Sequence, residues 1–144
     1  MQTFVYPAKF TPDDKDGGFV VTFPDLPEAI TQGENVSNAA AEAADCLEEA
    51  IANRIAMDLP IPEPSPIGAG EHGIVLHAQM AAKASLYLAI REEEMTRVEL
   101  AERLHCDESA IRRLLDPMRP SQLPRIESAL AAMGRQLIVG VQAI

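Results

Sequence analysis

The stretch TRVELAERLHCDESAIRRLLD, residues 96–116, decides how the second half of this chain folds. It reads as two short helices joined by a tight turn. Thr96 is a candidate N-cap, and Glu99 three residues later completes a capping box. Val98, Leu100, Ala101 and Leu104 give the first helix its apolar face. Asp107 is the candidate cap of the second helix, whose apolar face is Ala110, Ile111, Leu114 and Leu115. Because a helix separates its faces at 3.6 residues per turn, Glu108, Ser109, Arg112 and Arg113 must point outward. Ala101 is small enough to let the second helix cross the first closely, and Ile111 is placed to lock that crossing.

This arrangement resembles the helix-turn-helix of phage-repressor-type (Cro/Xre-like) DNA-binding domains, whose second helix enters the major groove. One departure is His105, where that family usually has glycine to take a left-handed turn conformation. A plain helical hairpin inside another fold would carry the same caps. In the repressor docking mode, Glu108 and Ser109 lie nearest the bases and Arg112 and Arg113 lie one turn on. One of these arginines would contact guanine and the other phosphate. Arg97, Arg119, Ser121 and Gln122 fall at helix starts and in the following loop, where phosphates bind. From Ser109 to Arg125 there are four arginines and one acid, a local +3. Ordinary surface arginine is the competing account of Arg112 and Arg113.

The chain as a whole is acidic. Its 144 residues carry a formal net charge of −10, which argues against non-specific nucleic-acid binding by the whole surface. The charge is unevenly spread. Residues 1–78 hold Lys9, Lys15 and Arg54 against thirteen acids, and so carry the full −10. Residues 79–144 hold nine bases and nine acids. Such asymmetry predicts two domains with different partners. Cys46 and Cys106 are far apart and form no disulfide framework. The N-terminus lacks the pattern of a signal peptide, and no apolar run approaches the ~20 residues of a membrane span. The expected location is the cytoplasm.

In the first half, Phe4, Tyr6, Ala8 and Phe10 alternate as on a half-buried strand. The segment TPDDKDGG (11–18) is turn chemistry, and Phe19, Val21 and Phe23 share a face of a second strand. Pro24 and Pro27 break it, and residues 29–32 predict a third strand ended by Gly33. Ser37 is a candidate cap for a long helix over about 38–58, with Ala40, Ala44, Leu47, Ile51 and Ile55 as its inner stripe. Glu42, Asp45, Glu49 and Asp58 occupy the opposite face, either as a solvated face or as a partner surface. PIPEPSPIGAG (60–70) predicts a stiff, extended connector, and GIVLH (73–77) a fourth strand. In the second half, residues 80–93 predict a helix with Ala84, Leu86, Leu88 and Ile90 inward. Ser121 is placed to cap a further helix carrying Leu123, Ile126, Leu130 and Met133, which Gly134 ends. The closing QLIVGVQ (136–142) alternates like a strand, a candidate for pairing with a second copy about a two-fold axis.

The segments GGFVVTFPDLP (17–27) and AITQGE (29–34), with the alanine- and acid-rich helix after Ser37, resemble the HicB antitoxins. The proline-alternating connector and the C-terminal helix-turn-helix extend that likeness over nearly the whole chain. The resemblance implies an α+β chain. Residues 1–78 would form a partial ribonuclease-H-like β-β-β-α-β domain that neutralises the toxin. Residues 79–144 would form an all-α helix-turn-helix domain, closed by the C-terminal strand, for DNA binding and dimerisation. It also implies a HicA-like mRNA-cleaving toxin as protein partner, operator double-stranded DNA as second partner, and a homodimer or higher homo-oligomer without a membrane role.

Catalysis is not expected. A metal-dependent nuclease needs a preorganised carboxylate cluster. Asp13, Asp14 and Asp16 sit in a hairpin turn and Asp25 in a proline corner, where they read as turn formers and solubilising charges. His72, His77 and His105 show no ligand spacing with Cys46 or Cys106, and no cofactor motif occurs. No cofactor or metal is expected. The function predicted is an antitoxin that inhibits its toxin and represses its own operon. A stand-alone transcriptional regulator with a ligand-sensing α/β domain is the alternative.

Overall fold

The computed structural model describes all of residues 1–144. Two compact units divide the chain, Met1–Ala81 and Ala82–Ile144. In the first, β1 (Val5–Pro12), β2 (Phe19–Phe23), β3 (Leu26–Gly33) and β4 (His72–Val75) form an antiparallel sheet in the order β3-β2-β1-β4. The β1–β2 turn is built by Asp13, whose carboxylate accepts from the Lys15 and Asp16 amides. Gly17 and Gly18 follow with φ of 73°, a conformation open to glycine.

Helix α1 (Val36–Ala56) covers one sheet face. Tyr6, Ala8, Val21, Phe23, Leu26 and Ala29 are buried on the sheet, and Ala39, Ala43, Leu47, Ile51 and Ile55 on the helix. Burying a leucine or isoleucine side chain stabilises by about 1.5–3 kcal/mol, so Leu47 and Ile51 dominate the helix side. The predicted stripe is turned at its start. Ala39 and Ala43 face inward, while Ala40 and Ala44 are half-buried. Asn35, not Ser37, starts the helix, with its side chain accepting from the Asn38 amide. Gly33 lets the helix begin close to the sheet, since a Cβ there would overlap the Ala39 backbone.

Three prolines sit within strands, and Pro12 is the last residue of β1. Pro7 lies in the half of β1 that pairs with β4 alone, so its missing donor breaks no rung toward β2. Pro27 lies in β3, an edge strand, which therefore starts at Leu26 rather than at the predicted Ala29. A register shift at Thr22/Phe23 absorbs the corner. The proline-rich connector has no regular structure, yet it is tied down. Tyr6 donates its hydroxyl to Pro62 O at 2.7 Å, and Ser65 donates its amide and hydroxyl to Asp25 at 2.8 and 2.6 Å. Arg54 donates to Pro60 O at 2.8 Å and grips Glu28 with two further bonds.

The second unit is helical: α2 (Ala78–Glu92, whose first four residues belong to the first unit), α3 (Arg97–Leu104), α4 (Glu108–Leu115) and α5 (Leu123–Ala131). Ala84, Leu86, Leu100, Ile111, Ile126 and Leu130 are buried in it. Leu123, expected inside, begins α5 and is exposed. Ser121 does not cap α5; Gln122 holds that position without a side-chain bond, and Pro124 preorganises the first turn. Residues 136–142 are not a strand. A strand needs a ladder partner, and this unit offers none. Ile138, Val139 and Val141 are left exposed.

Candidate functional site

The pair α3–α4 is set by local chemistry. The Thr96 hydroxyl accepts from the Glu99 amide at 3.0 Å, and the Glu99 carboxylate accepts in return from the Thr96 amide, which closes the capping box. Helix α3 ends at His105 with φ 54° and ψ 43°, the left-handed conformation. That turn lets the Cys106 amide bond back to Ala101 O at 3.0 Å. Asp107 then caps α4, accepting from the Ala110 amide at 2.9 Å and the Ser109 hydroxyl at 2.7 Å. Chiefly the Ser109 hydroxyl, and next the Ala110 amide, hold the Asp107 carboxyl below its ordinary range.

With Leu100, Ala101, Ile111, Leu114 and Leu115 buried, α4 presents Glu108, Ser109, Arg112 and Arg113 to solvent. Val98, expected inside, is half-exposed. Arg112 pairs with Glu108 one turn back at 3.2 Å. Arg113 reaches only the Ser109 hydroxyl, at 3.5 Å. In the loop after α4, Arg119 lies 3.7 Å from Asp116 and is exposed, as are Arg97 and Gln122. Ser121 is partly buried, and its oxygen accepts from the Lys83 ammonium at 2.7 Å. Arg112 and Arg113 therefore stand on one exposed helix face and Arg119 in the loop that follows it, whereas Arg97 begins α3. Lys83 was not visible as a participant, because its partners lie some thirty to forty residues away.

In the first unit the acids of α1 are spread along its outer side, with Glu42, Asp45 and Glu49 exposed. Exposed apolar groups accompany them in the same unit: Ile30, Met57, Leu59, Ile67 and Val75. Such a mixture suits a protein partner more than a small ligand. The hairpin and corner aspartates do not converge. Asp13 is spent on its turn and Asp25 on Ser65. A different group does converge: Asp45, Glu48 and His77 bring ligand atoms within 4.8 Å of one another, with His77 Nδ1 2.6 Å from Glu48 Oε2. Linear spacing hides it, since His77 follows β4 while the acids lie on α1. The contact is a hydrogen-bonded, exposed pair that fastens the end of β4 to α1.

Glu28 and Arg54 are the strongest pair of this unit by geometry, with Nε–Oε2 at 2.6 Å and Nη2–Oε1 at 2.9 Å. The Arg54 hydrogen bond holds the Glu28 carboxyl below its ordinary range. Burial, assisted by Asp25, pushes the Tyr6 hydroxyl up to about 12, so it remains a hydrogen-bond donor at physiological pH.

An antiparallel sheet backed by an acid-bearing helix is thus followed by a helical unit whose arginines lie exposed. The family model described as the HicB-like antitoxin of bacterial toxin–antitoxin systems matches residues 5–85. The chain is 35% identical over 132 residues to Antitoxin HicB of Escherichia coli K12, covering 92% of this chain and 95% of that protein. It is 29% identical over 137 residues to Antitoxin HicB 1 of Photorhabdus laumondii, covering 95% and 86%. A chain of a toxin–antitoxin complex from Streptococcus pneumoniae is 38% identical over 47% of this chain and 48% of that one, with a TM-score of 0.42. The chain belongs to the HicB-like antitoxin family. No helix is long and apolar enough to cross a membrane.

Proposed function

We propose that this antitoxin neutralises a HicA-like mRNA-cleaving toxin through residues 1–78 and represses its own operon by binding operator DNA through residues 79–144. The observation that carries the first half is charge. Thirteen acids stand against three bases in residues 1–78, and a ribonuclease must carry positive charge to hold phosphates. Complementary fields raise the rate of encounter, while apolar groups such as Ile30, Ile67 and Val75 provide buried contact once the partners meet.

The second half rests on the exposed arginine face. Arg112 and Arg113 project from α4, Arg119, Ser121 and Gln122 follow it in the loop, and Arg97 begins α3. Repressor-type domains read two half-sites about 34 Å apart, which calls for a dimer. The exposed apolar run around Ile138, Val139 and Val141 is the proposed dimer element, since pairing with a second copy would supply the ladder that one chain lacks. A gel-shift titration on the promoter region of the protein's own gene tests the repressor role. Retardation of that duplex, but not of a scrambled one at the same salt, is expected; equal retardation contradicts it.

A further inference from the structure

Lys83 is the one buried charged residue in the protein, 1% exposed on α2. Its ammonium donates to Leu114 O at 2.7 Å, to the Ser121 hydroxyl oxygen at 2.7 Å, and more weakly to Arg113 O at 3.5 Å. All three ammonium protons are thereby engaged. Two of the acceptors are carbonyls in the last turn of α4, at the negative end of its dipole, and the Arg113 carbonyl also accepts from the Asp116 amide at 3.3 Å. The third belongs to the loop between α4 and α5. Burial pulls the lysine pKa down, opposed by the nearby Asp116 carboxylate. An apolar side chain would fill the same space without that desolvation cost. What the ammonium adds is geometry: it ties the end of α4 and the loop to one point on α2.

That point controls both halves of the proposed DNA face. Arg112 and Arg113 lie in the turn that Lys83 holds, and Arg119 and Ser121 in the loop that it anchors. We propose that Lys83 is a positioning residue for operator recognition, fixing the base-reading turn of α4 relative to the phosphate-contacting loop. The proposal rests on the DNA-binding reading above. It predicts that losing the ammonium damages discrimination more than general attraction to DNA, since no exposed charge is removed.

The test uses the full chain with two variants, Lys83→Met and Lys83→Gln. Affinity is measured for the duplex upstream of the protein's own coding sequence and for a scrambled duplex at one salt concentration. Circular dichroism and a thermal melt establish that each variant is folded at the assay temperature. Lys83→Met is expected to lower the ratio of the two affinities about tenfold. Lys83→Gln, which keeps a shorter donor and buries no charge, is expected to fold even where Lys83→Met does not and to lower the ratio about threefold. A merely structural role would lower both affinities together and leave the ratio unchanged. A wild-type ratio in either folded variant overturns the proposal. Absence of any preference by the wild-type protein overturns the DNA-binding reading itself, and the proposal with it.

Discussion

Arg112 lies 3.2 Å from Glu108, one turn back along the exposed face of α4. The adjacent Arg113 hydrogen-bonds only the neutral Ser109 hydroxyl and feels the Asp107 carboxylate through space. DNA approaching this face must break a direct ion pair to engage Arg112 but none to engage Arg113. Exposed pairs at this spacing are weak, about 0.3–0.5 kcal/mol, yet they act on the contact that matters. Replacing Arg113 by alanine is therefore expected to cost more operator affinity than replacing Arg112. The loss expected for Arg113→Ala is about 1–3 kcal/mol, with one base preference relaxed. Titration against operators varied one base at a time checks both the size and the position of the effect.

His105 adopts the left-handed conformation that joins α3 to α4. A side chain there costs about 1–2 kcal/mol, part of which glycine would return as unfolded-state entropy. His105→Gly should therefore stabilise the second unit by about 0.5–1 kcal/mol, and His105→Val should destabilise it. Thermal melts of the two variants give opposite signs if the turn is as described.

Gly33 ends β3 where a Cβ would run into the backbone of Ala39. Helix and sheet cannot separate there without exposing Ala39, Ala43 and Leu47. Gly33→Ala is expected to destabilise the first unit by about 1–3 kcal/mol, the usual range for overpacking. Leu47→Ala, which leaves a cavity instead, should cost about 2–5 kcal/mol. Urea denaturation of each variant measures both.

Acid should weaken the protein in two separable ways. Glu28 and Asp107 are both held below the ordinary carboxylate range, by Arg54 and by Ser109 respectively. A lowered folded-state pKa stabilises above the unfolded value, about 4, and that contribution fades as pH falls through the folded value. Stability measured from pH 7 down to 3 should therefore decline on the acid side of about pH 4. Asp107→Asn keeps a capping oxygen and should flatten that limb for the second unit. Glu28→Gln should flatten it for the first.

The exposed apolar tail predicts a concentration-dependent dimer. Truncation after Gly134 removes Ile138, Val139 and Val141 and should leave a monomer by light scattering. A truncated protein that remains dimeric places the interface elsewhere.

Much of this fold is legible because its signals are local. The Thr96–Glu99 box and the Asp107 cap each depend on residues within one helical turn, and both form as read. The left-handed turn at His105 is the one that the resemblance to repressor-type helix-turn-helix domains implied. Where two residues of equal capping chemistry compete, local pattern fails. Asn35 caps α1 instead of Ser37. Pro27 looked like a strand breaker because its edge position is a property of the sheet, not of the sequence. The alternation over residues 136–142 records a strand's side-chain pattern but cannot supply the missing ladder partner. Lys83 and the Asp45–Glu48–His77 group were invisible for the same reason, since tertiary contact alone brings their partners together.

The central claim is that the acidic N-terminal half silences a toxin. The most direct measurement is cleavage of mRNA by a purified HicA-like toxin, with and without this chain at equal molar amount. The account predicts that cleavage stops at stoichiometric addition and returns as salt and charge-neutralising changes on α1 weaken the encounter. Undiminished cleavage in the presence of excess folded chain would contradict it.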